Sequence, residues 1–76
     1  MLLGDVDRMA YEILADKDPE LLDKIKAAID KGLSAKAIQS RILWKYGSSS
    51  IGVHIVICAA FHCERLRKEA KGNESK

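Results

Sequence analysis

IGVHIVICAAFHC, residues 51–63, is the stretch that decides the fold of this protein. It contains no charged residue and, apart from Gly52, no helix breaker, and charged helix formers from Glu64 to Ala70 follow it directly. A helix that is apolar on all sides is normally buried on all sides. The rest of the chain, or a second copy of it, must therefore surround this segment. We predict a buried helix from Ser50 to Ala70.

Two other structures are compatible with this stretch but are less favoured. The β-branched run from Val53 to Ile57 could form a strand, yet no other segment looks like a partner, and a lone strand leaves its backbone groups unpaired. A transmembrane span needs about 18 to 20 apolar residues, and the uncharged stretch has only 13. We therefore expect no membrane association.

Three shorter helices are predicted before the central one. The first spans residues 1–17, and the second follows Asp18, a good N-cap, and ends near Gly32. The third lies between the N-cap Ser34 and Gly47. Apolar residues at helical spacing are expected to face the core: Val6, Met9, Ala10, Ile13, Leu14, Leu21, Leu22, Ile25, Ala28, Ile29, Ala35, Ile38 and Ile42, with Leu43 or Tyr46.

The predicted fold class is all-α: a small four-helix bundle with a helix-turn-helix-like core and a long central C-terminal helix. At 76 residues there is room for one small core, and we expect a single helical domain over residues 1–70. Residues 71–76 are polar and lack an apolar anchor, so they are expected to form a disordered tail.

The two cysteines indicate a reducing compartment. Cys58 and Cys63 are five residues apart, so on a helix they point about 140° away from each other, which disfavours a disulfide between them. Gly4 and Asp5 interrupt the apolar N-terminus, so we expect no signal peptide. Free thiols and a cytoplasmic location are the prediction.

Charge is distributed unevenly along the chain. Residues 1–30 hold eight acids and four bases, a net charge of −4, whereas residues 31–76 hold nine bases and three acids, a net charge of +6. Such an asymmetry can mark a surface for a polyanion. The alternatives are a solvated basic face, or head-to-tail pairing of the chain with itself.

Residues 32–55 resemble the helix-turn-helix of the LuxR/NarL (GerE-like) family. GLSAKAIQSRI, residues 32–42, is similar to that family's "GLSxKEIAxRL" run, and SIGVHI, residues 50–55, to its "TVKVHL". The resemblance implies a DNA-binding role in which the fourth helix is the recognition helix. Because the residues after His54 are apolar, we expect mainly phosphate contacts. The candidate nucleic-acid-binding residues are Lys36, Gln39, Arg41, Lys45, Ser49, Ser50 and His54.

Three short helices can hardly cover an apolar helix on all sides, which indicates an interface. A symmetric homodimer that packs the fourth helices together would solve this, and the basic end of that helix would be free to meet an acidic partner. Trp44 is expected either to cover the fourth helix or to contact a partner. The candidate interface residues are Trp44, Ile51, Ile55, Phe61 and Arg65.

No residues in the sequence predict an enzyme or a cofactor. His54, Cys58 and His62 share one face of a helix, but they extend over about 12 Å and cannot converge on one metal ion. No paired carboxylates, glycine-rich phosphate loop or nucleophile with a base is visible. We expect no metal, no cofactor and no catalysis.

Two functions therefore remain open. The first is a small DNA-associated regulatory protein, and the alternative is a non-enzymatic adaptor or inhibitor that binds protein partners as a homodimer. The positions of Lys36, Arg41 and Lys45 distinguish them. One exposed stripe of these three bases favours DNA binding, whereas scattered bases favour the adaptor.

Overall fold

The structure, a computed structural model, describes residues 3–74 and the side chains of residues 5–70. Within these residues the chain forms four helices joined by short connections. They are α1 (Leu3–Lys17), α2 (Pro19–Asp30), α3 (Ala35–Tyr46) and α4 (Ile51–Glu74). No strand occurs within residues 3–74. The all-α prediction and its four helices are confirmed.

Local capping interactions explain where α2 and α3 begin. The Asp18 carboxylate accepts the Leu21 N–H at 3.2 Å, and Pro19 occupies the first turn, where its missing N–H costs nothing. The Ser34 hydroxyl accepts the Ala37 N–H at 3.1 Å. Both N-caps are those that the sequence predicts.

Glycines in the left-handed region end the same two helices. Gly32 has a φ of +109°, and the backbone N–H groups of Gly32 and Leu33 bond to the carbonyls of Ile29 and Ala28. This pattern is a Schellman motif, which favours glycine because other residues are strained at positive φ. Gly47, with a φ of +79°, ends α3 by donating to the Leu43 carbonyl at 2.9 Å.

Helix α4 is the centre of the fold and packs against each of the other three helices. Its predicted burial is confirmed for Val53, Ile57, Ala59, Ala60 and Cys63. The two alanines are fully buried, and such small side chains allow neighbouring helices to approach closely. The other buried apolar residues are Ala10, Leu14, Leu22, Ile25, Ile29, Ala35 and Ile38.

Three polar side chains near the middle of α4 each contact a different helix. Glu64 accepts the backbone N–H of Ala35 at 2.8 Å and so caps α3. Arg65 donates to the carboxylate of Asp7 on α1 at 2.5 Å, and Arg67 donates to the carbonyl of Ile29 on α2 at 2.5 Å. The expectation that the basic end of α4 is free for an acidic partner is therefore wrong for both arginines.

Other predictions about the first and third helices need correction. Of the five apolar residues expected to bring α1 onto the core, only Ala10 and Leu14 are buried. On α3, Ile42 and Leu43 are half-buried and Tyr46 is exposed. Trp44 is also exposed, so it does not cover α4. Exposure depends on how each helix is rotated against its neighbours, which periodicity does not determine.

The ends of the fold differ slightly from the prediction. Helix α4 runs to Glu74, past the predicted end at Ala70, so residues 71–74 continue the helix. The rest of the expected tail, Ser75 and Lys76, lies outside the described residues, as does the predicted start of the first helix. The helix-turn-helix core stays a prediction. Across the described residues, no helix is both long enough and apolar enough to cross a bilayer.

Glu64→Ala tests the contact that joins α4 to α3. The change leaves the Ala35 N–H without its charged acceptor, and hydrogen bonds to charged groups contribute about 1.5–3 kcal/mol. We expect the free energy of unfolding in urea to fall by about 1–2 kcal/mol. The matched control is Glu69→Ala at an exposed position of the same helix. Equal losses for the two variants would contradict the capping role.

Candidate protein-interaction groove

An apolar groove of about 300 Å³ lies between α1 and the first half of α4. Helix α1 contributes Val6, Met9, Ala10 and Ile13 to it, and α4 contributes Ile51, His54, Ile55 and Cys58. The groove exists because α1 turns only one edge of its apolar stripe towards the core. We call these eight residues the α1–α4 groove.

Four large apolar side chains of the groove are exposed. The exposed fraction is 40% for Val6, 48% for Met9, 43% for Ile13 and 77% for Ile51. Single exposed apolar residues are normal on any protein surface, but four that line one groove form a contiguous patch. Contiguous patches of this kind mark interaction sites.

A row of acids borders the groove on α1. Asp5, Glu12 and Asp16 are exposed, and each lies three or four residues from Met9 or Ile13, which makes them neighbours on the helix surface. They fall within about 40° of one another around the helix axis. We call these three residues the acidic row. Lys17 lies 4.0 Å from the Asp16 carboxylate, so Asp5 and Glu12 supply most of the negative charge at the rim of the groove.

Cys58 lies at the edge of the groove beside a charged pair. Asp7, held by Arg65, is close to the thiol. Burial raises the pKa of Cys58, and the negative charge of Asp7 raises it further. The thiol is therefore protonated near neutral pH, and only the thiolate is nucleophilic. Cys58 contributes packing surface rather than reactivity.

A second pocket, of about 330 Å³ and open to solvent, lies between α1, α2 and α4. Tyr11, Lys26 and Cys63 line it, and the interaction with Tyr11, whose ring centroid lies 5.3 Å from the Lys26 ammonium, raises the pKa of Lys26. Burial raises the pKa of Cys63 even though Lys26 partly opposes the change. Because this thiol is also protonated near neutral pH, the cavity presents no activated nucleophile.

The histidines that share a face of α4 with Cys58 have separate surroundings. His54 bonds through Nε2 to the Ser48 carbonyl at 2.9 Å, which closes the turn before α4. His62 packs edge-to-face on Tyr11, with 5.0 Å between ring centroids, and its Nδ1 is buried without a hydrogen-bond partner among the described residues. Within those residues, no three His, Cys, Asp or Glu side chains cluster as metal ligands would.

The candidate nucleic-acid-binding residues do not form one surface. Lys36, Arg41 and Lys45 are all exposed on α3, but Lys36 points about 140° away from Arg41 and about 180° away from Lys45. Gln39 is half-buried. The remaining candidates are exposed near the start of α4, namely Ser49, Ser50 and His54. The bases are therefore scattered rather than aligned in one stripe.

The candidate interface residues are divided among different places. Ile51 and Ile55 line the groove. Trp44 is 92% exposed on α3, whereas Phe61 is half-buried against the core and Arg65 is paired with Asp7. The apolar spacing of α1 also predicts that Val6, Met9 and Ile13 face the core, and this is wrong because all three are exposed in the groove. One signal was available: the apolar stripe of α1 spans about 140°, wide enough for two surfaces.

No protein-family model, curated protein or solved structure matches this chain. The likeness of residues 32–55 to LuxR/NarL domains therefore stays a resemblance between short stretches of sequence. Function has to be inferred from the geometry of the groove and of the exposed charges.

Asp7→Asn tests the electrostatics at the edge of the groove. Removing the negative charge lowers the pKa of Cys58, so more thiolate is present at pH 8 and iodoacetamide reacts faster. We expect a several-fold increase in the alkylation rate of Cys58, measured by mass spectrometry of its peptide. Asp5→Asn, at an exposed position of the same helix, is the control. An equal increase in both variants would contradict the role of the Asp7 charge in raising the pKa of Cys58. Alkylation of Cys63, which is buried, would report any unfolding.

Proposed function

We propose that this protein is a non-enzymatic protein-interaction module that binds an amphipathic helix in the α1–α4 groove. The observation that carries the proposal is the exposure of Val6, Met9, Ile13 and Ile51 along one groove. Grooves of this type bind the apolar face of a helix through side chains spaced three or four residues apart. This role corresponds to the adaptor that the sequence offers as an alternative to DNA binding. The binding surface differs, because the groove includes Val6, Met9 and Ile13 of α1.

The charges around the groove favour a basic partner. The acidic row lies beside Met9 and Ile13, so a helix in the groove would place its flanking residues next to carboxylates. Arg65 and Arg67, which the sequence assigned to an acidic partner, are used within the chain. Lysines or arginines next to the apolar stripe of the partner would therefore increase the rate and the specificity of binding.

DNA-associated regulation has less support than protein binding. Major-groove readout needs polar side chains along an exposed helix, and residues 55–63 of α4, which follow His54, are partly or fully buried and apolar except for His62. The scattered positions of Lys36, Arg41 and Lys45 also favour the adaptor. Both cysteines are free, which fits a reducing compartment such as the cytoplasm.

Ile13→Asp tests the groove. A synthetic amphipathic helix of leucine and lysine serves as the probe, and its affinity is measured by calorimetry. We expect the variant to bind at least about tenfold more weakly, since burying an isoleucine contributes about 1.5–3 kcal/mol. The control variant is Ala27→Asp, at an exposed position of α2 outside the groove.

Two results would contradict the proposal. One is equal affinity of the peptide for the wild type, Ile13→Asp and Ala27→Asp, which would show binding outside the groove. The other is a DNA duplex that binds at low salt, is released steeply as salt rises and is lost in Lys36→Ala, Arg41→Ala and Lys45→Ala. That second result would establish the DNA-associated role instead.

A further inference from the structure

We infer that a second copy of this chain fills the α1–α4 groove, with Trp44 as the side chain that inserts into it. The inference rests on the proposed function, because it names an occupant for the same groove. Three observations carry it: the exposure of Trp44, the opposite charges of α1 and α3, and the presence of both Trp44 and the groove on one chain.

Trp44 has the properties of an interface anchor. It is the only tryptophan of the chain, and 92% of it is exposed on α3. Tryptophan and arginine dominate the binding energy of protein interfaces when they enter an apolar pocket. Arg41 lies three residues before Trp44, and Lys45 directly follows it, so the anchor is flanked by two exposed bases.

The charges beside the anchor match those beside the groove. Helix α3 contains Lys36, Arg41 and Lys45 and no acid, whereas the acidic row borders the groove on α1. With Trp44 in the groove of another copy, Arg41 and Lys45 lie next to that copy's acidic row. The basic α3 of one copy and the acidic α1 of the other would therefore attract each other and orient the two copies.

Because each copy carries one anchor and one groove, two copies can exchange anchors about a two-fold axis. Such a reciprocal exchange makes the same contact twice and closes as a dimer, whereas one-way insertion of the anchor into the next copy would propagate as a fibre. It also covers the exposed apolar residues of both copies. A partner helix then competes with the second copy for the groove, and self-association controls access to it.

Sedimentation of the full chain over a range of concentrations is the test. We expect a dimer at micromolar concentration, and a blue shift of the tryptophan emission as the dimer forms. Trp44→Ala and Ile13→Asp should each weaken the dimer at least tenfold. Ala27→Asp, at an exposed position of α2 outside the groove, should leave it unchanged, with circular dichroism as the check on folding.

A mixture of the two weakened variants provides a sharper result. The Trp44→Ala copy keeps an intact groove and the Ile13→Asp copy keeps an intact anchor, so one of the two contacts can form between them. We expect the mixture to associate more strongly than either variant alone. Asp16→Lys and Arg41→Glu should likewise each weaken the dimer, and a mixture of these two should recover part of the loss.

The outcomes separate this inference from the proposed function. A chain that stays monomeric at millimolar concentration overturns the inference, and so does a dimer that Ile13→Asp dissociates but Trp44→Ala does not. In both cases the groove can still bind the leucine–lysine helix, and the proposed function then stands. If Trp44→Ala dissociates the dimer and Ile13→Asp does not, the anchor enters a different surface. Open-ended assembly overturns the reciprocal exchange.

Discussion

The structure depends on burying one apolar helix with only three short ones. Helix α4 has 24 residues and is apolar on all sides over its first half, while α1, α2 and α3 have 15, 12 and 12 residues. Burial of apolar surface is the main favourable term in folding, so the chain places all three around α4. Three helices cover most of its circumference, and the part left open becomes the groove.

Polar contacts then set the position of each covering helix along α4. Within one helical turn, Glu64, Arg65 and Arg67 bind α3, α1 and α2 respectively. Ion pairs that solvent still reaches, such as Arg65–Asp7 with its 44% exposed arginine, contribute modestly to the free energy of folding, so the core supplies most of the stability. These contacts instead select one register of the helices, because another register would leave their donors and acceptors unpaired.

The three short helices leave some apolar residues of α1 and α4 exposed, and this exposure connects the fold to the proposed role. A stripe of about 140° on α1 serves the core with Ala10 and Leu14 and leaves Val6, Met9 and Ile13 at the surface. If all apolar residues of α1 and α4 were buried in the core, no groove would remain between the two helices. In this chain the incomplete burial of α1 and α4 leaves open the groove for which we propose a partner helix.

The sequence by itself determined the number of helices and the ends of α2 and α3, because these depend on local chemistry, and its uncharged run indicated that α4 is the central helix. Caps such as Asp18 and Ser34 and the positive φ of Gly32 involve residues within a few positions of each other. Only the tertiary structure decided that Ile13 and Trp44 are exposed and that Arg65 pairs with Asp7. Those outcomes depend on how each helix is rotated and positioned against α4, and residues far apart in sequence set that packing.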